Sequence, residues 1–173
     1  KAFALTPDRR QIQRSSNRAE SFWVRVTTCG EVEVPLAVPD WGLAAGPGST
    51  RDIAAADFYQ GTWQTALHDD EILTGVRFPL WSGASGFAVA EVTRRHGDFA
   101  ICGAVVGVTV DGDRVTRAAI GLFGVGGTPV RATAAEQALV AAGTGADLAA
   151  IGHEAAAPLT PSRDIHASGE YRK

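Results

Sequence analysis

The clearest pattern in the first half of the chain is an alternation of apolar and polar residues over residues 71–79. A period of two places every second side chain on one face of a β-strand. The residues that share this face are Ile72, Thr74, Val76 and Phe78. Pro79 ends the predicted strand, because proline has no backbone N–H to donate to a neighbour. Residues 81–86 are mostly small and polar and predict a loop between two domains.

Three apolar segments in the second half predict an antiparallel sheet. They span residues 87–95, 99–110 and 114–123. The middle segment is apolar at nearly every position, which predicts a central strand that is covered on both faces. Asp111-Gly112 follows it directly, and both residue types tolerate the positive φ angles of a tight hairpin turn. The three strands are therefore expected to form a meander.

Helical patterns follow the predicted sheet. Residues 133–142 are rich in alanine, and Thr133 and Glu136 have the spacing of a capping box, in which each side chain accepts a hydrogen bond from an unpaired backbone N–H. A second helix is predicted at about 146–157, and Ser168 is suited to cap a last helical turn. The predicted fold class is α+β, with a three-stranded antiparallel sheet and a helical bundle on one face.

Composition narrows the functional classes. The 173 residues are 45% apolar and 20% charged, which favours a folded core over a disordered chain. A net charge of −3 without a basic stripe argues against nucleic-acid binding. The longest apolar run is shorter than the roughly 20 residues that a membrane-spanning helix needs, and no signal peptide is visible. We expect a cytoplasmic protein with no transmembrane segment.

The residue types that usually carry chemistry do not form a recognisable active site. The histidines and cysteines lack metal-ligand spacing; they are His68, His96, His153, His166, Cys29 and Cys102. The glycine-rich segment 121–129 follows a predicted strand and precedes a helix, but proline stands where the dinucleotide motif needs glycine, so a tight turn is the better interpretation. Trp63 and Trp81 are interpreted as core or subunit-interface anchors.

The segment Arg94-Arg95-His96-Gly97-Asp98 is the densest polar cluster and lies between two predicted strands. Guanidinium groups bind phosphates and carboxylates through paired hydrogen bonds, so an anion site is one interpretation. A solvated hairpin tip with local ion pairs is the simpler alternative. His96 is not favoured as a catalytic base, because no second catalytic group lies near it in the sequence. The chain therefore resembles a component of a larger assembly more than a complete enzyme.

Four stretches, in order, resemble the FAD-binding medium subunit of the molybdenum hydroxylases, the family of carbon monoxide dehydrogenase and xanthine dehydrogenase. The resemblance covers about residues 40–173. The stretches are Ala56-Asp57-Phe58-Tyr59-Gln60-Gly61 with Thr65-Ala66-Leu67 and Asp70-Glu71-Ile72-Leu73; Arg94-Arg95-His96-Gly97-Asp98-Phe99-Ala100; Gly124-Val125-Gly126-Gly127-Thr128-Pro129 with Arg131-Ala132 and Ala135-Glu136; and Pro161 with Asp164-Ile165-His166, Ser168 and Glu170-Tyr171-Arg172-Lys173.

The resemblance implies the C-terminal half of a flavoprotein subunit. Residues 1–80 would be a partial or degenerate FAD-binding α+β domain, and residues 81–173 the C-terminal domain. Such a subunit passes electrons from the 2Fe–2S clusters of a small subunit through FAD to an acceptor. A large subunit carries molybdopterin, and the expected assembly is a dimer of heterotrimers. By position, the resemblance implies flavin contacts at Asp40, Leu73, Arg94 and Asp98.

The chain departs from the family pattern upstream of Asp40. One glycine-rich flavin motif of the family is absent there, and the other is reduced to Thr28-Cys29-Gly30. Such glycines let backbone amides approach a pyrophosphate, so their loss predicts weak FAD binding, above micromolar, or none. One alternative function is a truncated, non-catalytic remnant that folds and docks on partner subunits without flavin. Another is an unrelated α+β domain that binds a small molecule.

Overall fold

The computed structural model describes residues 12–13, 21–25, 41–79, 81–95 and 97–173. The chain divides into two compact units between Trp81 and Ser82, at the start of the predicted loop. Each unit has its own antiparallel sheet. The predicted α+β class is confirmed.

The elements of the N-terminal unit in the described ranges are β1 (Ile12–Gln13), β2 (Ser21–Arg25), β3 (Trp41–Gly46), β4 (Ser49–Ala54), α1 (Ala55–Phe58), β5 (Tyr59–Gly61), β6 (Gln64–Thr65) and β7 (Ile72–Pro79). The strand predicted over residues 71–79 is confirmed as β7. The main sheet has five strands in the order β1-β2-β7-β3-β4, and β5 and β6 form a separate two-stranded hairpin. All of these strand pairs are antiparallel.

A bulge interrupts the pairing of β3 with β7. Ala44 lies opposite Leu73, whereas Leu43 lies opposite Gly75, so Thr74 is the extra residue. The Thr74 hydroxyl donates a hydrogen bond of 3.1 Å to the Leu43 carbonyl. Ala44 beside this bulge is fully buried, which places the core of the unit directly under the paired strands.

The C-terminal unit contains the predicted meander. Its elements are β8 (Ala84–Val92), β9 (Cys102–Asp111), β10 (Arg114–Phe123), β11 (Val130–Arg131), α2 (Thr133–Ala142), a 3₁₀ turn (Gly143–Gly145), α3 (Leu148–Ala156) and α4 (Gly169–Arg172). The sheet has the order β11-β10-β9-β8, and every pair is antiparallel. Strand β8 lies three residues earlier than predicted, because its last pair joins Val92 to Cys102 and the chain then leaves the sheet.

The turn between β9 and β10 differs by one residue from the prediction. Asp111 remains in the strand and pairs with Arg114, which leaves Gly112 and Asp113 as the turn residues. Gly112 has a φ of +57°, whereas Asp113 has no positive φ. A positive φ at the first turn residue alone is the pattern of a type II′ turn. Asp111 also accepts a hydrogen bond of 3.2 Å from the Arg114 guanidinium, and both side chains are exposed.

The predicted capping box at Thr133 and Glu136 is wrong. The N-cap of α2 is Ala132, and no side chain caps this helix. The Glu136 carboxylate turns towards the sheet, where it accepts a hydrogen bond of 2.7 Å from the backbone N–H of Ile120 and pairs with Arg131. This carboxylate therefore joins the helix to β10. The Ser168 cap is confirmed, since its hydroxyl accepts from the Tyr171 N–H at 3.1 Å.

Helices α2 and α3 pack on one face of the C-terminal sheet, around a core of small and aliphatic side chains. The buried members are Ile120, Ala132, Ala135 and Ala155, and Val106, Leu122 and Ile151 pack against them. Strand β9 is central as predicted, although most of its residues are half-buried. Cys102 in this strand is a half-buried free thiol, and Cys29 lies outside the described residues.

Candidate functional site

The residues predicted to contact a flavin fall in different parts of the chain. Asp40 lies outside the described residues. Leu73 lies on β7, where it is half-buried and its Cδ1 lies over Gly42. Arg94 and Asp98 lie in the C-terminal unit, in the loop between β8 and β9. Arg94 and Asp98 line the same pocket.

The loop after β8 is a closed turn with two short backbone contacts. The Asp98 N–H donates to the Arg95 carbonyl at 3.1 Å, and the Ile101 N–H donates to the Val92 carbonyl at 2.7 Å. Both Arg94 and Asp98 are exposed. They line a cavity of about 200 Å³ together with Asp164, His166 and Arg172. The second and fourth stretches of the resemblance thus build one pocket.

Arg172 forms the floor of this pocket. Its side chain is only 9% exposed. One terminal nitrogen, Nη1, donates to the carbonyls of Ile101 at 2.5 Å and Gly124 at 2.9 Å. The other, Nη2, donates to Asp164 Oδ2 at 2.6 Å. We call this arrangement the Arg172 clasp, because it fastens the last turn of the chain to the end of the sheet.

Gly124 makes this close approach possible. Its φ is +73°, and a Cβ at this position would lie 2.7 Å from the Ile101 carbonyl oxygen. Any other residue would therefore clash with one of the two carbonyls that Arg172 binds. The first three residues of the glycine-rich segment 121–129 belong to β10, and the predicted tight turn is formed by residues 124–129, which lead into the two-residue strand β11.

Asp164 is the acidic partner in the clasp. Its Oδ1 accepts hydrogen bonds from the N–H groups of His166 at 2.8 Å and Ala167 at 3.0 Å. These two backbone donors, followed by Arg172, lower the pKa of Asp164 from 3.8 to about 2. Asp164 is therefore ionised at neutral pH and balances the charge of the buried guanidinium.

The pocket is suited to polar recognition more than to bond-making chemistry. It combines two guanidinium groups with two carboxylates, and it contains no serine or cysteine nucleophile. Within the described ranges, no cluster of histidine, cysteine, aspartate or glutamate could hold a metal ion. Sequence reasoning missed Arg172 and Asp164 as members of this site, although both lie in the fourth stretch of the resemblance.

A second cavity, of about 540 Å³, lies between the helix-covered face of the sheet and α3. Its lining is mostly aliphatic, with Val106 and Ile120 among the contributors, and its charged members are Glu91, Arg172 and Lys173. Few polar groups reach it, so it lacks the directional contacts that orient a reacting ligand.

Phe99, which lines the smaller pocket, is 90% exposed, whereas Trp63 and Trp81 lie outside both cavities. Trp63 is 94% exposed and has a positive φ of 62°, so it is not a core residue, and its role as an interface anchor stays a prediction. Trp81 is half-buried. None of the helices in the described residues is long and apolar enough to cross a membrane.

Residues 87–173 match the sequence model of the CO dehydrogenase flavoprotein C-terminal domain. This segment contains the whole pocket. The chain belongs to this flavoprotein family. It corresponds to the C-terminal part of the FAD-binding medium subunits of molybdenum hydroxylases.

Two individual proteins similar to this chain support the same family assignment. The carbon monoxide dehydrogenase medium chain of Afipia carboxidovorans is 37% identical over 73% of this chain and 44% of its own length. The caffeine dehydrogenase subunit beta of a Pseudomonas species is 41% identical over 58% of this chain and 34% of its own length. The chain therefore spans less than half the length of these two relatives.

The fold comparison gives the same family. A solved carbon monoxide dehydrogenase from Hydrogenophaga pseudoflava, which lacks the Mo-pyranopterin moiety of its cofactor, superposes with a TM-score of 0.72 at 30% identity. The match covers 79% of this chain and 48% of that chain. The four-stretch resemblance is thereby confirmed at the level of family and fold.

Proposed function

We propose that this chain is part of an FAD-dependent electron-transfer subunit of a molybdopterin-dependent oxidoreductase. In this proposal, electrons pass from 2Fe–2S clusters through FAD to an acceptor. The partners are a large molybdopterin-binding subunit and a small iron–sulfur subunit, assembled as a dimer of heterotrimers. The observation that carries the proposal is the family match over residues 87–173.

Asp40, Leu73, Arg94 and Asp98 are proposed to lie nearest the flavin. For Arg94 and Asp98, the support is their shared pocket. Arg94 is exposed and therefore free to reorient towards an anionic group such as a phosphate. Asp98 supplies a carboxylate acceptor on the same loop. Leu73 would give an apolar contact, and the case for Asp40 rests on sequence position alone.

The pocket does not fit an entire FAD molecule. Its volume of about 200 Å³ lies below the range of about 300–1,000 Å³ that is usual for small-molecule sites. Its two guanidinium groups are matched by two carboxylates, so it offers little net attraction for a pyrophosphate. The C-terminal unit would therefore supply one wall of a flavin site, and we expect the isolated chain to bind FAD more weakly than about 1 µM.

Titration of FAD into the purified chain, followed by flavin fluorescence, tests this expectation. We expect a shallow curve with no stoichiometric endpoint. Arg94→Ala should weaken the residual binding roughly tenfold, because it removes one charge-assisted contact. Arg163→Ala is the matched control, since Arg163 is exposed and lies outside the pocket. Tight stoichiometric quenching by the wild-type chain would contradict the weak-binding proposal.

Co-expression with the large and small subunits of a related enzyme tests the assembly. We expect the chain to co-elute with them in size-exclusion chromatography and to bring flavin absorbance to the complex. Co-elution without flavin would instead support the second candidate, a remnant that docks but does not bind the cofactor. The small, charge-balanced pocket is the observation that favours this second candidate. Elution of the chain alone would contradict both.

A further inference from the structure

The polar pocket lies between two segments that are far apart in the sequence. The first wall segment is the loop of residues 93–101 between β8 and β9, which contributes Arg94 and Asp98 to the pocket. The second wall segment is formed by residues 161–168 before α4, which contribute Asp164. The described residues of both segments belong to no helix or strand. Regular secondary structure therefore does not fix the distance between them.

Each wall segment is closed by its own hydrogen bonds. In the first, the Asp98 N–H donates to the Arg95 carbonyl at 3.1 Å, and the Ile101 N–H donates to the Val92 carbonyl at the base of the loop at 2.7 Å. In the second, Asp164 Oδ1 accepts hydrogen bonds from two backbone N–H groups of the same segment. Each segment is therefore a compact turn, and what remains to be fixed is its position.

Arg172 binds both wall segments with one guanidinium group. Nη1 donates to the Ile101 carbonyl at 2.5 Å, at the end of the first segment, and Nη2 donates to Asp164 Oδ2 at 2.6 Å in the second. Nη1 also donates to the Gly124 carbonyl at 2.9 Å, in the turn that follows β10. Because the guanidinium group is planar and its donors have a fixed geometry, these contacts hold the two segments at one distance from each other and from the end of the sheet.

We propose that Arg172 is the positioning residue of the polar pocket, and that it places Arg94 and Asp98 at the distance from Asp164 that ligand recognition needs. This inference rests on the proposed function only in naming flavin as the ligand. Both terminal nitrogens of Arg172 already donate to oxygen atoms of the chain. Arg172 therefore acts on a ligand through the first wall segment, by keeping Arg94 in place.

Limited proteolysis with trypsin tests whether Arg172 holds the wall segments. Trypsin cleaves after arginine, and Arg94 and Arg95 lie in the first segment and Arg163 in the second. Arg117 lies on β10 and is the internal reference. Arg172→Leu should speed cleavage in both wall segments roughly tenfold relative to cleavage after Arg117, because local opening of a released loop costs less free energy than opening of the sheet.

Leu139→Ala is the matched control for a general loss of stability. Leu139 is 7% exposed on α2 and does not line the polar pocket. Truncation of a buried leucine lowers the stability of the folded unit as a whole, so cleavage should rise alike at all four arginines. The same uniform rise in Arg172→Leu would overturn the proposal, and so would unchanged cleavage in both wall segments.

Asp164→Asn separates the two contacts and still tests the proposal if Arg172→Leu does not fold. The asparagine oxygen can accept from the same backbone N–H groups, but the substitution removes the charge that Arg172 binds. Cleavage after Arg163 should rise, whereas cleavage in the first wall segment should stay unchanged because its contact with Arg172 remains. An equal rise in both segments, or no rise in either, would contradict the positioning role.

A double-mutant cycle on FAD binding tests whether Arg172 acts through Arg94. Arg172→Leu and Arg94→Ala should each weaken FAD binding roughly tenfold, and the double variant should bind no more weakly than either single variant. Additive losses, or full affinity in Arg172→Leu, would overturn the inference. If the wild-type chain binds no FAD, the flavin assignment fails, and the trypsin experiments alone decide whether Arg172 positions the pocket.

Discussion

Each of the two units is fastened by one arginine that binds a carboxylate and backbone carbonyl oxygen. In the N-terminal unit, Arg51 donates to both Glu71 carboxylate oxygens at 2.7 Å and to the Ala66 carbonyl at 2.5 Å. In the C-terminal unit, Arg172 binds Asp164 and two carbonyls. Arg51 holds the segment between β6 and β7 against its own strand, β4. Arg172 holds the segment around α4 against the ends of β9 and β10.

The two clasps differ in which partner is buried. Arg51 has 38% of its side chain exposed and Glu71 only 7%, whereas Arg172 is 9% exposed and Asp164 48%. The causes of the lowered carboxylate pKa values differ as well. Arg51 is the largest cause for Glu71, but backbone N–H groups are the largest cause for Asp164. Similar contacts should therefore respond differently to the same substitution.

The largest effect is expected from Arg172→Leu. The substitution leaves two carbonyl oxygens without their donor, which should lower the free energy of unfolding of the C-terminal unit by about 2–4 kcal/mol. Urea unfolding followed by far-UV circular dichroism measures this, because the two longest helices of the described residues, α2 and α3, lie in this unit. Arg163→Leu, at an exposed neighbour, should change little. Equal losses for both variants would show that the clasp carries no special stability.

Gly124→Ala should disrupt the same clasp by disturbing the carbonyl groups that accept the hydrogen bonds of Arg172. The left-handed backbone alone costs an alanine about 1–2 kcal/mol, and the new methyl group would approach the Ile101 oxygen. Gly126→Ala is the control, since a Cβ there makes only an ordinary contact at 3.5 Å. We expect a lower urea midpoint for the first variant only, and an unchanged midpoint would show that the loop relaxes around the methyl group.

Arg51→Leu should weaken the N-terminal unit, but by less than Arg172→Leu weakens the other. Water can reach the place of the exposed guanidinium, and the His68 N–H still donates to Glu71 at 2.8 Å. All four tryptophans, Trp23, Trp41, Trp63 and Trp81, lie in the first 81 residues, so tryptophan fluorescence reports this unit selectively. If Arg51→Leu lowers the free energy of unfolding of its unit more than Arg172→Leu lowers that of the other, the predicted order of the two effects is wrong.

The smallest effects concern acid stability. The pKa values are lowered to about 2, from 4.5 for Glu71 and from 3.8 for Asp164. A carboxylate whose pKa is lowered by folding stabilises the folded state at pH values above its unfolded-state pKa. This stabilisation is lost as the pH falls towards the folded-state pKa of about 2. Arg51→Leu should raise the Glu71 pKa more than Arg172→Leu raises that of Asp164, because two backbone donors remain at Asp164. Titration of the carboxyl groups by NMR measures both pKa values in each variant. Equal rises of the two pKa values would contradict the prediction.

The strands could be predicted from the sequence because their signals are local. Alternation identified β7, and three apolar segments identified the meander. The turn between β9 and β10 lies one residue later than predicted, because Gly112 supplies the positive φ at the first turn residue while Asp111 stays paired in the strand. Local pattern therefore predicts which elements form better than it predicts where they begin and end.

The site was harder to predict because its contacts are long-range. Sequence reasoning selected Arg94 and Asp98, which do share a pocket, but it missed Arg172, which contacts residues 48 and 71 positions away. The capping box failed for the same reason. The Ile120 N–H lies 16 residues from Glu136, and this tertiary donor competes successfully with the nearby helix terminus for the carboxylate.

The Arg172 clasp also bears on the order of folding. The β8–β9–β10 meander joins neighbouring segments, and such local contacts form early because closing short loops costs little entropy. The clasp can form only after the sheet end, the glycine turn and the last helical turn have come together. Interactions that are absent from the folding transition state act on the unfolding rate. The clasp should therefore set the lifetime of the folded unit and leave the speed at which the unit folds unchanged.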